Sequence, residues 1–145
     1  MQISEPQYRF LERLDDQQTR ELHALYQGES WTCGRGLEDV KEMLQHSTLV
    51  CGFCDESDGR LVAFARILTD TVFKAFVFDV IVAPDHRHEG IGKRLVDHIV
   101  QHPLLRHVRH LELYCFPEMV PFYEKFGFST QVSGVCLMRK TAERK

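Results

Sequence analysis

The alternation and recurrence of apolar positions divide this chain into short elements. Residues 8–14 alternate enough to predict a first strand. Asp15-Asp16 offers a cap for a helix through about Gln27, with Leu22 and Leu25 facing inward. Residues 28–36 carry Gly28, Gly34 and Gly36 and read as a loop. Leu37, Val40, Met43 and Leu44 share one face of a helix over 37–45. Strands follow at 48–54, 61–68 and 74–82, the first two joined by a turn ending in Asp58-Gly59, a strong hairpin signal, the next by Thr69-Asp70-Thr71. Helical spacing resumes from Gly90 to about His102, where Pro103 stops it. A strand at 110–115, a short helix at 118–126 ended by Gly127, and strands at 128–131 and 135–140 around Ser133-Gly134 complete the order βααβββαβαββ. The tail, 141–145, is polar and reads as frayed. No repeat, low-complexity segment or linker interrupts the chain.

The junction near residue 85 carries the most chemistry. An apolar run from Phe76 to Val82 is broken by Pro84-Asp85, and Arg87-His88-Glu89-Gly90-Ile91-Gly92 then opens a helix. The first amides of a helix lack internal partners and carry the positive end of its dipole. Glycine lets a phosphate approach that backbone closely, and Arg87, Lys93 and Arg94 add full charges. A P-loop would need glycine at position 87 and Ser or Thr after Lys93, but Arg87 and Arg94 stand there. A dinucleotide fingerprint would need glycine at position 95, which is Leu. The remaining template, Arg/Gln-x-x-Gly-x-Gly/Ala, fits at every fixed position.

That template is the acyl-CoA pyrophosphate loop of the GCN5-related N-acetyltransferases. A second stretch, Pro121-Phe122-Tyr123-Glu124-Lys125-Phe126-Gly127-Phe128, resembles the Phe-Tyr-Glu-Lys-x-Gly-Phe signature of the same family, with a helix and a strand between the two. The resemblance covers roughly residues 36–140 and is specific mainly in 77–100 and 119–128. It implies an α/β (α+β type) acyl-CoA N-acyltransferase fold. The sheet would be mixed and mostly antiparallel, with about six to seven strands and about four helices on both faces. It implies acetyl-CoA as co-substrate and an amine of a small molecule or peptide as acceptor. Arg87, His88, Glu89, Gly90, Ile91, Gly92 and Lys93 would wrap the pyrophosphate. Ile81 and Val82 would pair their backbone with the pantetheine arm.

Acetyl transfer needs a neutral amine, a held carbonyl, an oxyanion donor and a proton for the leaving thiolate. Tyr123 stands at the family's general-acid position; a phenol near pKa 10 is protonated at neutral pH and able to protonate a thiolate. The alternative is that it only packs or orients the sulfur. Asp79 is a carboxylate inside an apolar strand, where such groups are rare unless used or paired. It and Glu112 are candidate bases, and pairing with a nearby arginine is the competing reading for each. Many family members carry Asn seven residues before the tyrosine, where this chain has Phe116. Trp31, Arg35 and Arg66 fall where the family places its acceptor. Trp31 is either a lid or core; Arg66 and Asp70 either form an ion pair or read substrate charge.

Bulk properties narrow the classes. A chain of 145 residues, 43% apolar and 27% charged, predicts one globular domain over 1–145. A formal net charge of -3 argues against general nucleic-acid binding. No apolar run reaches membrane-spanning length, and Met1–Pro6 lacks a leader pattern. Five cysteines, an odd number irregularly spaced, suit reduced thiols in a cytoplasm. Cys51 and Cys54 form a C-x-x-C without a second pair, and His98 and His102 lack a third ligand, so no metal is expected. His98 and His102 are more simply cations at a helix end, and His86 and His88 flank Arg87 either near phosphate or in solvent. A homodimer stays open. The rivals to an enzyme are a non-catalytic acyl-CoA sensor of the same fold and an assembly module without cofactor.

Overall fold

The structure, a computed structural model, describes residues 7–143. The expectations for Met1–Pro6 and for the last two tail residues lie outside that range. The strands are β1 (Tyr8–Leu11), β2 (Leu49–Asp55), β3 (Leu61–Thr69), β4 (Lys74–Val82) and β5 (His110–Glu112). The α-helices are α1 (Asp16–Gln27), α2 (Leu37–His46), α3 (Ile91–Gln101) and α4 (Val120–Glu124), with single 3-10 turns at Pro84–His86 and Pro117–Met119. The chain divides into two compact units, Met1–Tyr114 and Cys115–Lys145.

In the first unit the sheet runs β1-β2-β3-β4-β5. All neighbours are antiparallel except β4 and β5, which are parallel and joined through α3. Period-two alternation sends successive side chains of β3 to opposite faces. Ala63, Ala65 and Ile67 pack with Ile91, Leu95 and Ile99 of α3. Phe64 packs with Leu22 and Tyr26 of α1 and Val40 of α2. The α/β class, the mixed sheet and helices on both faces therefore stand as expected.

Local chemistry sets the helix starts. Asp15 accepts from the Gln18 amide at 2.7 Å and Gln18 Oε1 accepts from the Asp15 amide at 3.1 Å, a reciprocal capping box. Between β2 and β3 a Cβ on Gly52 would meet the Ala63 carbonyl oxygen at 2.9 Å, so glycine is what lets these strands close up.

The strand count differs from the expected six to seven. Among the described residues there are five, and 128–131 and 135–140 form none. The second unit contains α4 and a turn in which Ser133 (φ 58°) and Gly134 (φ 75°) are left-handed. Val135, Leu137 and Met138 are exposed there. A lone hairpin has too little to bury to hold itself in water, and Val135-Cys136-Leu137-Met138 lacks the alternation that would give it one apolar face. The first strand likewise stops at Leu11, and the fifth at Glu112.

Candidate active site

β5 matches β4 only through Lys74↔His110, Ala75↔Leu111 and Phe76↔Glu112. Beyond Phe76, the edge of β4 on the β5 side has no partner strand among the described residues. On the other side the ladder to β3 continues to Ala63↔Val82, and the Ala83 N–H donates to Val62 O at 2.7 Å. Backbone groups alternate along a strand, so the N–H of Val82 faces the open edge. Ile81, by contrast, is buried in the α1–α2 side of the core. This open backbone leads directly into the loop the sequence singled out.

The loop ends in a helix start suited to an anion. Gly90 is the N-cap of α3 in the left-handed conformation (φ 79°), with no side-chain hydrogen bond to the first turn and no acidic residue in it. A Cβ built on Gly90 meets nothing within 4 Å, so the space over the helix end is open. The glycine is needed for its backbone angle. His88 is also left-handed, at φ 70°, one of the residue types that tolerates this region. Lys93 and Arg94 are exposed on the first turn. Burying Ile91, Leu95, Val96 and Ile99 fixes that turn against the sheet.

Two loop side chains are already held. Arg87 Nε donates to Val82 O at 3.1 Å and Nη2 to Glu29 Oε1 at 2.7 Å. Glu89 accepts from the Tyr8 hydroxyl, which also meets His86 Nδ1 at 2.9 Å. Removal from water, and then the Glu89 contact, push the Tyr8 phenol up to about 12.

Asp79 sits at a break in the β3–β4 register. Phe64 pairs with Ile81 and Arg66 with Phe78, so Asp79 and Val80 together oppose the single residue Ala65. Asp79 is left-handed there, at φ 61°, which makes this a β-bulge. Its side chain is 6% exposed. Oδ2 accepts from Arg35 Nη1 at 2.7 Å, Arg66 Nε at 2.8 Å and the Tyr26 hydroxyl at 3.0 Å. Oδ1 accepts from Arg35 Nη2 at 3.3 Å. Burial alone would raise the carboxyl pKa; the Arg35 and Arg66 hydrogen bonds and charges outweigh it and hold the group below the usual carboxylate range. Tyr26 is pushed well up by burial and then by Asp79. Each guanidinium also lies over a ring, Arg35 on Tyr26 and Arg66 on Phe78, both at 4.7 Å. Of the two readings the sequence left open for Asp79, the ion pair is the one observed. Charge-assisted hydrogen bonds of this kind contribute about 1.5–3 kcal/mol each, enough to offset about 1–2 kcal/mol of left-handed strain.

The other candidates fall as follows. Arg66 pairs with Asp79 rather than with Asp70. Asp70 instead accepts the amides of Val72, Phe73 and Lys74 at 2.8, 2.8 and 3.0 Å, capping its own turn, and these bonds lower its pKa. Glu112 is paired with Lys74 at 2.7 Å. Trp31 is 40% exposed in the loop that carries Arg35. Phe76 and Phe78 lie side by side with ring centroids 4.7 Å apart and planes tilted by 31°, on the same face as Arg66. His98 lies flat on Phe10 at 4.1 Å, and His102 approaches Glu12 at 3.5 Å. Among the described residues no group of three His, Cys, Asp or Glu is placed to hold a metal, and no helix is long and apolar enough to cross a membrane.

Tyr123 belongs to the second unit. It is the buried residue of α4, set edge-on to Phe122 at 5.0 Å and to Phe128 at 5.9 Å. Burial, and then the neighbouring Cys115, push its phenol up to about 12, so it carries its proton throughout the neutral range. The structure thus gathers Asp79, Arg35, Arg66 and the Arg87–Lys93 loop in one unit and holds Tyr123 in the other. Two residues escaped the sequence reading. Tyr26 falls within the helix expected up to Gln27, and Glu29 within the loop expected at 28–36, and the pattern singles out neither. The signal for Tyr26 was Asp79 itself, since a buried carboxylate demands donors.

The profile of the acetyltransferase (GNAT) family matches residues 10–128. An uncharacterized N-acetyltransferase, ycf52, of Porphyra purpurea is 34% identical over 122 residues, 79% of this chain and 67% of the relative. A protein of Oryza sativa subsp. japonica named serotonin N-acetyltransferase 2, chloroplastic, is 36% identical over 94 residues; the match covers 63% of this chain but only 47% of that protein. A crystal structure from Xanthomonas campestris pv. campestris, of a protein belonging to the GNAT family, superposes with a TM-score of 0.81 at 30% identity, covering 96% of both chains.

Proposed function

The chain belongs to the GNAT family of acetyltransferases, and from that premise we propose that it moves an acetyl group from acetyl-CoA to a primary amine of a small molecule or peptide. Residues 1–145 act in this reading as one transferase domain. The observation that carries it is the junction of the unpartnered edge of β4 with the uncapped, glycine-led start of α3. An extended arm ending in a pyrophosphate needs both together: backbone to pair with, and helix amides to receive negative charge.

Bound acetyl-CoA supplies an acyl group already activated as a thioester, so the reading calls for no metal. Gly90, Ile91, Gly92 and Lys93 hold the pyrophosphate through the helix start, with Arg87, His88 and Glu89 shaping the approach. Of Ile81 and Val82, only Val82 faces the arm, and its N–H is the donor available on the open edge; Ile81 turns its backbone to β3 and its side chain into the core. Tyr123 supplies the proton for the departing thiolate; a phenol at about 12 does not lose that proton to solvent at neutral pH. Trp31, Arg35 and Arg66 border the acceptor. The adjoining rings of Phe76 and Phe78 support an acceptor with an apolar portion, in keeping with the name of the rice relative. The five cysteines are unpaired, which supports a reducing compartment, the cytoplasm.

The test is release of CoA thiol from acetyl-CoA in the presence of tyramine, spermidine or a lysine-bearing peptide. Amine-dependent release is expected. Binding of acetyl-CoA without release by any amine would instead favour the acyl-CoA sensor. No binding would reject both.

A further inference from the structure

We propose that Asp79 is a positioning residue, which ties the acceptor-side loop 28–36 to the donor-side strand β4 by fixing the bulge between them. The inference rests on the transferase reading for its catalytic consequence, but not for its geometry. Three elements converge on one carboxylate. Arg66 reaches it along the sheet from β3, Tyr26 from α1, and Arg35 from the last part of the loop. Each grips the same residue at the point where β4 slips its register. A left-handed aspartate does not hold such a bulge by preference; its donors hold it.

The loop has its own reasons to move with Arg35. The Thr32 hydroxyl is buried and donates to Tyr26 O at 2.8 Å, while Gln27 donates to Arg35 O at 3.0 Å and accepts from the Gly34 N–H at 3.1 Å. Trp31 rides on this folded piece. At the far end of β4, Glu29 of the same loop binds Arg87 at 2.7 Å. The loop is therefore pinned at two points, one beside the bulge and one beside the phosphate-binding turn. A shift at Asp79 is passed in one direction to Trp31 and in the other along β4 to the Val82 edge.

A positioning role and a base role give different kinetics. A base must exchange its proton within the catalytic cycle, whereas here two guanidinium groups and a phenol donate to the carboxylate and favour its ionised form. The experiment uses the full chain, wild type and the variants Asp79→Asn and Arg35→Met, with acetyl-CoA and tyramine or the lysine-bearing peptide from about pH 4 to 9, a range that reaches down to where a carboxylate base would titrate. For Arg35→Met the acceptor KM is expected to rise about tenfold, with kcat and acetyl-CoA affinity changed less than about threefold. For Asp79→Asn, kcat is expected to fall about 10- to 100-fold at every pH, with the limbs of the pH profile unmoved. Loss of the acid limb in Asp79→Asn, or its shift to higher pH in Arg35→Met, would make Asp79 the base and overturn the proposal. Unchanged KM in Arg35→Met would overturn it as well.

Hydrogen exchange of the ligand-free protein reads the bulge without any activity. Asp79→Asn is expected to speed exchange at Ile81 and Ala83 at least about tenfold while Ile67, in the core on the other face, is unaffected. Equal acceleration at all three positions would mean general loosening and would overturn the proposal. Wild-type protein that fails to bind acetyl-CoA would defeat the transferase reading, and the exchange arm would still decide the clamp.

Discussion

Asp79 and Arg87 lie on the same stretch of chain, one inside β4 and one just past its end, and they spend their charge differently. Around Asp79 the donors and acceptors satisfy one another, the side chain is nearly dry, and a strained backbone is held by them. Around Arg87 the helix start is left uncapped, Lys93 and Arg94 are exposed, and a glycine leaves open space over the first turn. The Asp79 carboxylate is spent on Arg35, Arg66 and Tyr26, and the loop has amides in surplus. A position that must keep its shape uses its polar groups on itself; a helix start that must bind leaves its first amides free, even where neighbouring side chains such as Arg87 are held.

Substitutions can break that contrast. The largest effect is expected from Gly90→Glu, which puts a side chain in the left-handed region and a negative charge at the helix start. Acetyl-CoA affinity should fall at least about 100-fold by calorimetry, roughly 2.7 kcal/mol or more, with the circular dichroism spectrum kept. Retained affinity would mean that the loop does not bind the donor.

Asp79→Ala comes next, because it leaves Arg66 and Tyr26 without their partner. A loss of about 3 kcal/mol of stability is expected at neutral pH. The sign of its pH dependence follows from the lowered pKa. The stabilisation is present above the unfolded value of about 3.9 and is lost as pH falls from there through the folded pKa. The gap between wild type and variant in urea unfolding should hold from pH 7 to about 5 and narrow below about 4. A gap that widens in acid would contradict an ionised, paired carboxylate.

Tyr123→Phe sharpens the comparison from the second unit. It should lower kcat about 100-fold, within the range general acid catalysis supplies, with acetyl-CoA affinity changed less than about threefold. Equal turnover would leave the phenol only a packing role. The smallest effect is expected from Glu29→Gln at the surface pair with Arg87. Exposed pairs of this kind are worth about 0–1 kcal/mol, so donor affinity should rise by less than about fivefold. A large loss instead would show that Glu29 is needed to aim Arg87.

These contrasts also show which parts were legible in the sequence. The loop could be read because its logic is local: a strand, a break, glycines and a helix start follow one another along the chain. Asp79 could be flagged as an anomaly but not explained. Arg35 and Tyr26 stand 44 and 53 positions away from it, and the bulge that aims it is a register slip, which a period-two pattern cannot reveal. Tyr26 was hidden because a tyrosine on an apolar helix face reads as core, which most of its ring is. The strands expected at 128–140 failed for the opposite reason. Their apolar composition favours a strand, but strands need a partner surface that composition does not specify.

The central claim is that the end of β4 and the start of α3 form a donor site for acetyl-CoA. Its most direct test is calorimetric titration of the wild-type protein with acetyl-CoA, and separately with ATP and NAD, each repeated on Gly90→Glu. Saturable micromolar binding of acetyl-CoA alone, abolished in the variant, is the predicted result. Binding that survives Gly90→Glu, or no binding of acetyl-CoA at all, would contradict the account.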